Sequence, residues 1–333
     1  MVIQKKLIAA EKTVIDFDDK GKPYTVQDII DEVAEKSDRS TFREFTEGTI
    51  AKLKKLGKYG NARVYQNTLN VFNDYLDKQE IYFNQIDYKC IQGFEEYLIG
   101  KDSKRNTISN HLRTLRAIYN RAIKEGITRE EYYPFKNYKI KSEKTQKRAI
   151  TKDDINTIRD LKLKNTPDLI LARDYFLFSF YNRGMSFIDV AFLKVKNIKK
   201  DHIVYTRKKT GQHFIIKLSD LSEKIIRKYS DLKDPDSYIF PIIKRKGNED
   251  LDYRNAMRLM NKKLKKLGEE AEIETPLTTY VARHSWATIG KRAGIPTAVL
   301  SEGLGHETEE TTQIYLDSFE NEVLDDANEK IIR

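Results

Sequence analysis

The chain has 333 residues, of which 39% are hydrophobic and 34% are charged. This length predicts two packed domains, and so many charges exclude one oversized core. Lysine and arginine outnumber the acids by 61 to 51, and the net charge of +10 favours a polyanionic partner: DNA, RNA or an anionic membrane. The uncharged stretches are too short to span a bilayer and no signal peptide is evident, so we expect a cytoplasmic protein. Cys90 is the single cysteine, which excludes an internal disulfide.

The first half of the chain has the pattern of a helical domain. Residues 1–23 are polar and weakly patterned, and we expect an N-terminal extension there. Thr41 and Glu44 have the spacing of a capping box at a helix start. Apolar residues then recur at helical spacing in two series: Tyr65, Leu69, Phe72 and Leu76, then Ile108, Leu112, Leu115, Tyr119 and Ala122. We therefore predict an all-helical domain over residues 24–135.

Basic residues are concentrated at the end of this domain and in the segment that follows it. Five of them flank the second apolar series: Arg105, Arg113, Arg116, Arg121 and Lys124. They either follow a phosphate backbone or form a solvated helix face, and the pattern alone favours the solvated face. Residues 136–149 hold six basic residues, one acid and no periodicity, which predicts an interdomain linker. Such a linker can follow a polyanion, although charged linkers also occur because they stay soluble and extended.

The second half combines helices with a β-hairpin. Thr151 and Asp154 again have the spacing of a helix start. Residues 203–218 alternate between apolar and polar positions on both sides of a Thr-Gly turn, which predicts two antiparallel strands. A further strand is expected at residues 238–243. Apolar periodicity predicts three more helices, over residues 169–181, 253–267 and 281–293. The fold class is therefore mainly α and multidomain, with an all-helical domain followed by an α+β domain that carries a small antiparallel sheet.

The most informative segment is residues 277–318, LTTYVARHSWATIGKRAGIPTAVLSEGLGHETEETTQIYLDS. Arg283, His306 and Tyr315 lie in it at spacings of 23 and 9. The segment resembles the C-terminal signature of the tyrosine recombinases, or phage-integrase family, in which an arginine just before HT-x-AT is followed by LGH and then TTQ-x-Y. The order and both spacings agree. The resemblance extends over residues 25–333, because a helical core-binding domain, a linker and a mixed catalytic domain are the family layout.

The resemblance implies a reaction that needs no cofactor, no metal and no ATP. Tyr315 would attack a DNA phosphate to give a 3′-phosphotyrosine and a free 5′-hydroxyl, which preserves the bond energy for rejoining. Arg283 would clamp the phosphate with its charged planar fork, and His306 would donate a further hydrogen bond. Lys209, immediately before the hairpin turn, would supply the proton that the leaving oxygen requires.

Two positions depart from the family pattern. Ser186 stands where the first family arginine ends a G-x-R triplet, and Asp189 follows where an acid is expected. We expect Arg183 to replace that arginine, because a position about one helical turn, or about 5 Å, away is within reach of its side chain. Tyr280 stands three residues before Arg283 in place of a histidine, and it is an auxiliary at most because it cannot be a cation at neutral pH. Such variation is similar to mobile-element integrases of Bacteroides-type gut bacteria.

The resulting prediction is a site-specific DNA recombinase or integrase. Double-stranded DNA is the expected partner, with a homotetramer on DNA, a monomer when free, accessory DNA-bending proteins and no membrane. Six basic residues are candidate DNA contacts: Arg105, Arg113, Arg116, Arg121, Lys139 and Lys141. The catalytic domain is predicted over residues 150–315. Residues 316–333 carry an apolar stripe typical of a helix that docks on its own domain or on a neighbouring protomer.

Two other functions stay open on this reading. The first is a DNA-binding protein of recombinase fold that has lost catalysis, because Ser186 and Tyr280 remove two usual phosphate ligands. The second is a topoisomerase-like relaxing enzyme, which uses the same chemistry without a partner site. Retention of the other family residues argues against the first, and the usual organisation of the second is not evident.

Overall fold

A computed structural model describes residues 2–21, 23–26, 28–29, 40–143, 148–306, 308–309, 311–312, 328–329 and 331–332. The chain divides into two compact units, residues 1–145 and 146–333. The first unit is helical, and the second combines helices with a three-stranded antiparallel sheet. The predicted fold class is therefore confirmed. None of the helices that the structure describes has the length and apolar character needed to cross a membrane.

Five α-helices are described in the first unit: α1 (Val2–Asp19), α2 (Phe42–Lys55), α3 (Tyr59–Tyr75), α4 (Tyr88–Gly100) and α5 (Arg105–Lys124). Helix α2 begins at the predicted capping box, in which the Glu44 amide donates to Thr41 Oγ1 at 3.2 Å and the Thr41 amide donates to Glu44 Oε2 at 2.9 Å. Leu69 and Phe72 on α3 and the apolar series on α5 are buried in one core, as their spacing predicts.

Helix α1 was not predicted, because its apolar residues do not form a buried stripe. Leu7, Ile8 and Ile15 are more exposed than most residues of their type, whereas Phe17 is buried against Tyr24 with ring centroids 5.2 Å apart. An exposed helix with scattered apolar residues gives no periodic signal. The extension predicted over residues 1–23 is therefore helical for most of its length.

The second unit contains helices and strands in the following order: α6 (Lys152–Asp160), α7 (Pro167–Tyr181), α8 (Phe187–Ala191), β1 (Ile198–Lys199), β2 (His202–Thr206), β3 (His213–Lys217), α9 (Asp220–Tyr229), α10 (Glu249–Glu270), α11 (Val281–Arg292) and α12 (Thr297–Leu304). Helix α7 is apolar on nearly every face and contacts α6, α8, α9, α10 and α11, so it forms the centre of this unit.

The sheet has the order β1-β2-β3, and the predicted hairpin is confirmed. Ile203 faces Ile216 and Tyr205 faces Phe214 across the β2–β3 pair, and all four side chains are buried on one face. The strand predicted over residues 238–243 is wrong. That segment makes one isolated bridge, from Lys194 to Tyr238, and then turns at Pro241. Its apolar residues fill the core without joining the sheet, which short apolar runs do not reveal in advance.

Candidate active site

Arg283 lies in the first turn of α11, and only 3% of its surface is exposed. Its Nη1 donates to the Gly184 carbonyl at 3.0 Å, and its Nη2 donates to the Leu304 carbonyl and lies 3.3 Å from His306 Nε2. Gly184 has a φ of 64°, and a Cβ there would lie 2.6 Å from Arg283 Cα. Main-chain atoms from two other parts of the unit therefore fix this guanidinium.

The carboxyl end of α12 binds a second arginine. Gly305 closes the helix with a left-handed φ of 64°, which leaves the last carbonyls without helical partners. Arg207 Nη1 donates to the Leu304 carbonyl at 3.2 Å and to the Gly305 carbonyl at 3.0 Å. Because a helix carboxyl end carries partial negative charge, it attracts cations. A Cβ on Gly305 would lie 2.3 Å from Phe214 Cζ, so the LGH sequence needs its glycine for both backbone conformation and space.

Arg207 is a functional candidate that the sequence interpretation missed. It follows β2, it is 8% exposed, and its amide donates to the Gln212 carbonyl at 2.8 Å across the hairpin turn. A signal was present in the strand alternation. Ile203 and Tyr205 mark the buried face of β2, and Arg207 is the next residue of the same parity. An arginine at a predicted buried position indicates either a partner or a site.

His306 contacts both Arg283 and a described residue of the segment that follows. Its Nε2 faces Arg283, and its Nδ1 lies 2.7 Å from Thr312 Oγ1. Burial lowers the pKa of His306 to about 4, and the charges of Arg283, Arg207 and Lys209 lower the pKa in the same direction. The imidazole is therefore neutral at pH 7.

Asp189 connects the hairpin to α8 beneath this cluster. The buried carboxylate accepts hydrogen bonds from Ser186 Oγ at 2.6 Å and from the Lys208 amide at 2.9 Å. Burial raises the pKa of Asp189, while these two hydrogen bonds and the charges of Arg207 and Arg283 act against the rise. Ser186 therefore serves the acid that follows it, and the hairpin turn is held beside the arginines.

The described cations of this cluster outnumber its acid. Arg207 and Arg283 are buried, and Lys209 is exposed but close enough for its charge to lower the pKa of His306. Asp189 is the acid that the described residues place against both arginines. Buried positive charge without an equal count of acids is typical of an anion-binding site. The positive charge of this cluster would favour a bound anion such as a phosphate.

The structure brings Arg283, His306 and Lys209 together, as the resemblance implies, but two other predicted residues lie differently. Arg183 has a φ of 57° and follows the end of α7, so the helical-turn spacing used to propose it does not apply. Arg183 is half-buried, and its charge acts on the pKa of Tyr205, which burial raises. Tyr280 is 45% exposed and packs its ring edge-on against His284, with centroids 4.7 Å apart.

Two further predictions concern positions that the structure does not describe. Tyr315, the predicted nucleophile, lies outside the described residues, as does most of the predicted terminal helix at residues 316–333. The role of Tyr315 therefore stays a prediction from its spacing. The described chain reaches Thr312, three positions earlier, and that residue already contacts His306.

The basic residues predicted to contact DNA in the first unit differ in their pairing. Arg105 Nη1 lies 2.5 Å from Glu95 Oε1, and Arg121 Nε lies 2.8 Å from Glu125 Oε1. Arg113 is exposed and Arg116 is half-buried on α5, while Lys139 and Lys141 are exposed beyond it. Within the described part of this unit, the exposed cations are the ones available to a polyanion.

Comparison with known proteins gives the same assignment as the geometry. A family model described as the phage integrase SAM-like domain matches residues 41–140, and one described as the phage integrase family matches residues 148–322. The tyrosine recombinase XerC of Leptospira interrogans is 24% identical over 266 residues, covering 75% of this chain and 83% of the relative.

Two solved structures share the fold. A lambda integrase dimer bound to a COC′ core site covers 94% of this chain and 87% of its own, with a TM-score of 0.63 and 15% identity. A lambda integrase tetramer bound to a Holliday junction covers 90% of this chain and 84% of its own, with a TM-score of 0.59 and 16% identity. Because the second family match spans more than half of the sequence, the chain belongs to the phage integrase family of tyrosine recombinases.

Proposed function

We propose that the chain is a site-specific DNA recombinase or integrase that cleaves and rejoins DNA through a covalent bond to Tyr315. The observation that carries this proposal is the convergence of two buried arginines, Arg207 and Arg283, on the carboxyl end of α12 beside His306. A phosphodiester resists attack because its transition state gathers negative charge. Fixed cations in a dry site stabilise that charge without reorganisation.

The proposed chemical step is a transesterification at phosphorus. The Tyr315 oxygen forms a bond to phosphorus and the bond from phosphorus to the 5′-oxygen breaks, giving a 3′-phosphotyrosine. The proton of the tyrosine hydroxyl passes to solvent water as the new bond forms, and the protonated Lys209 ammonium gives a proton to the departing 5′-oxygen. Arg283 holds the nonbridging oxygens. Rejoining reverses the step with a new 5′-hydroxyl, and the bond energy is retained throughout.

Arg207 is our proposal for the cation that replaces the family arginine at Ser186. It follows β2, donates to the same carbonyl as Arg283, and donates to the Gly305 carbonyl as well. Arg183 has no hydrogen bond or ion pair among the described residues and stands in the left-handed region with a φ of 57°. A donor that main-chain contacts already hold needs less reorganisation at a developing charge, which favours Arg207.

Double-stranded DNA is the proposed partner, and the basic balance of the chain supports it. We further propose a homotetramer on DNA that is a monomer when free, with accessory DNA-bending proteins, in the cytoplasm. The lambda integrase tetramer, which is bound to a Holliday junction, supports the assembly by likeness of fold.

The test uses duplexes selected by binding to the chain from a random-sequence library. Each is rebuilt as a suicide substrate with a nick beside the scissile phosphate, so that the cleaved end diffuses away. Wild-type protein should form an adduct that resists denaturant, and Tyr315→Phe should form none. Tyr59→Phe, which changes an exposed tyrosine of α3, is the matched control and should react normally. An undiminished adduct in Tyr315→Phe contradicts the proposed nucleophile.

The alternative is a DNA-binding protein that has lost catalysis. It predicts selection of duplexes by the wild-type chain without any adduct on the nicked substrates. The retained cluster of Arg283, His306 and Lys209 speaks against it.

A further inference from the structure

Among the described residues that follow His306, Thr312 contacts the His306 ring. It is fully buried, with 0% of its surface exposed, whereas its neighbour Thr311 is exposed. Its Oγ1 lies 2.7 Å from Nδ1 of His306. The contact therefore joins the ring that faces Arg283 to a position three residues before the proposed nucleophile.

The partners of His306 determine which ring nitrogen carries the proton. Arg283 has only donors, so its Nη2 donates and His306 Nε2 accepts. The ring is neutral at pH 7 because its pKa is lowered to about 4. A neutral imidazole that accepts at Nε2 has its proton on Nδ1, and Thr312 Oγ1 is then the acceptor. In this arrangement, His306 has a lone pair on Nε2, where the proposed reaction needs a hydrogen-bond donor.

A hydroxyl is suited to either state of the ring. When a phosphate oxygen takes the place of the ring as acceptor for Arg283, Nε2 of His306 can donate to that phosphate only if it carries the proton. One proton then leaves Nδ1 to solvent and one is taken up at Nε2, so the ring stays neutral. The Thr312 hydroxyl rotates and donates to Nδ1, because it is both donor and acceptor.

We propose that Thr312 is a positioning residue that holds His306 in the site and supports the change of its proton from Nδ1 to Nε2 on phosphate binding. This inference rests on the proposed function, because the phosphate is the scissile one. Thr312 precedes the proposed nucleophile, Tyr315, by three positions in the sequence.

Thr312→Val removes the hydroxyl with little change of shape, and Thr312→Ser keeps it. We expect Thr312→Val to form adduct about 10- to 100-fold more slowly, by analogy with the loss of groups that orient metal-binding histidines. Thr312→Ser and the control Thr311→Val should stay within about threefold of wild type, with unchanged DNA affinity. Equal impairment of the serine and valine variants, or none in valine, overturns the proposal.

A second measurement does not depend on cleavage. Nitrogen-15 spectra of the histidine rings, assigned with His306→Gln, report which nitrogen is protonated in Tyr315→Phe protein. The proton should lie on Nδ1 without DNA and on Nε2 with a selected duplex, and adding Thr312→Val should abolish the change. If wild-type protein forms no adduct, the proposed function fails, and this spectrum alone decides on Thr312. A proton that stays on Nδ1 with DNA bound overturns the inference.

Discussion

Replacing Arg207 by alanine tests how the site holds its phosphate. The change removes a buried guanidinium whose Nη1 donates to the carbonyls of Leu304 and Gly305. Arg283 still donates to the Leu304 carbonyl, so the Gly305 carbonyl is the one that loses its arginine donor. Arg183→Ala is the parallel change at the residue first expected to fill the gap. The two variants separate the two candidate replacements for the family arginine.

The effects on stability and on rate should differ in size. One hydrogen bond from a charged donor contributes about 1.5–3 kcal/mol, so Arg207→Ala should lower the free energy of unfolding by about 2 kcal/mol. That loss leaves most of a typical 5–15 kcal/mol of stability. Loss of one preorganised donor at a developing oxyanion costs about 10²- to 10³-fold in rate. The rate of adduct formation should therefore fall far more than the small increase in unfolded protein can account for.

The assay is the rate of covalent adduct formation on a nicked selected duplex, with urea denaturation of each variant alongside. Arg207→Gln keeps a neutral donor for the Gly305 carbonyl, so it should be nearly as stable as wild type and still react about 10²-fold more slowly. Arg183→Ala should stay within about threefold of wild type. A folded Arg207→Ala that cleaves normally, together with a slow Arg183→Ala, would refute the assignment of the missing cation to Arg207.

A glycine, a histidine and the basic residues of the first unit give three further predictions. Gly305→Ala should lower the free energy of unfolding of the second unit by about 2–4 kcal/mol, because the alanine is strained at a left-handed φ and its Cβ overlaps neighbouring atoms. Gly294 is also left-handed, but a Cβ there meets no atom within 4 Å, so Gly294→Ala should cost about 1 kcal/mol. Urea denaturation measures both losses. The pKa of His306 in the folded protein, about 4, lies below its ordinary 6.5, so its contribution to stability is complete above pH 6.5 and falls towards pH 4. The free energy of unfolding should therefore be lower at pH 5 than at pH 7, and His306→Gln should reduce that difference. Arg113→Ala should reduce the slope of log DNA affinity against log salt concentration by the amount of about one phosphate contact, whereas Arg105→Ala, which removes an ion-paired arginine, should not. If both variants have the slope of wild type, α5 does not contact DNA.

Burial on one face is what made most helices predictable. Leu69 and Phe72, or Ile108 and Leu112, repeat at helical spacing because each helix packs one side against a shared core. Where burial did not follow a simple period, prediction failed. Leu7, Ile8 and Ile15 of α1 are exposed. The apolar run at residues 238–243 is mostly buried but forms turns, because Pro241 cannot continue a strand ladder.

Arg283 and His306 were predicted because residues 277–318 resemble a family signature with fixed spacings. Most of helix α11 and the whole of helix α12 lie between these two residues and account for the spacing of 23. Arg183 was placed by a helical rise, but α7 ends at Tyr181, and left-handed residues follow. A rise per residue measures distance only inside a helix. Predicting Arg207 as a site residue requires knowing which face of the hairpin lies against α12, and a short sequence motif does not contain that information.

The presence of serine instead of arginine at position 186 is consistent with the charge balance of the site. Asp189 needs hydrogen-bond donors in its buried setting, and Ser186 and the Lys208 amide supply them. In the proposed reaction the phosphate needs a second fixed cation, and Arg207 donates to the same Leu304 carbonyl as Arg283. A third guanidinium at position 186 would add like charge to a cluster that already has more cations than acids, at a Coulomb cost of order 4 kcal/mol for a pair about 4 Å apart near a protein surface. Serine at that position and arginine after β2 are therefore mutually consistent choices: the hairpin delivers the charge, and the start of α8 keeps the acid satisfied.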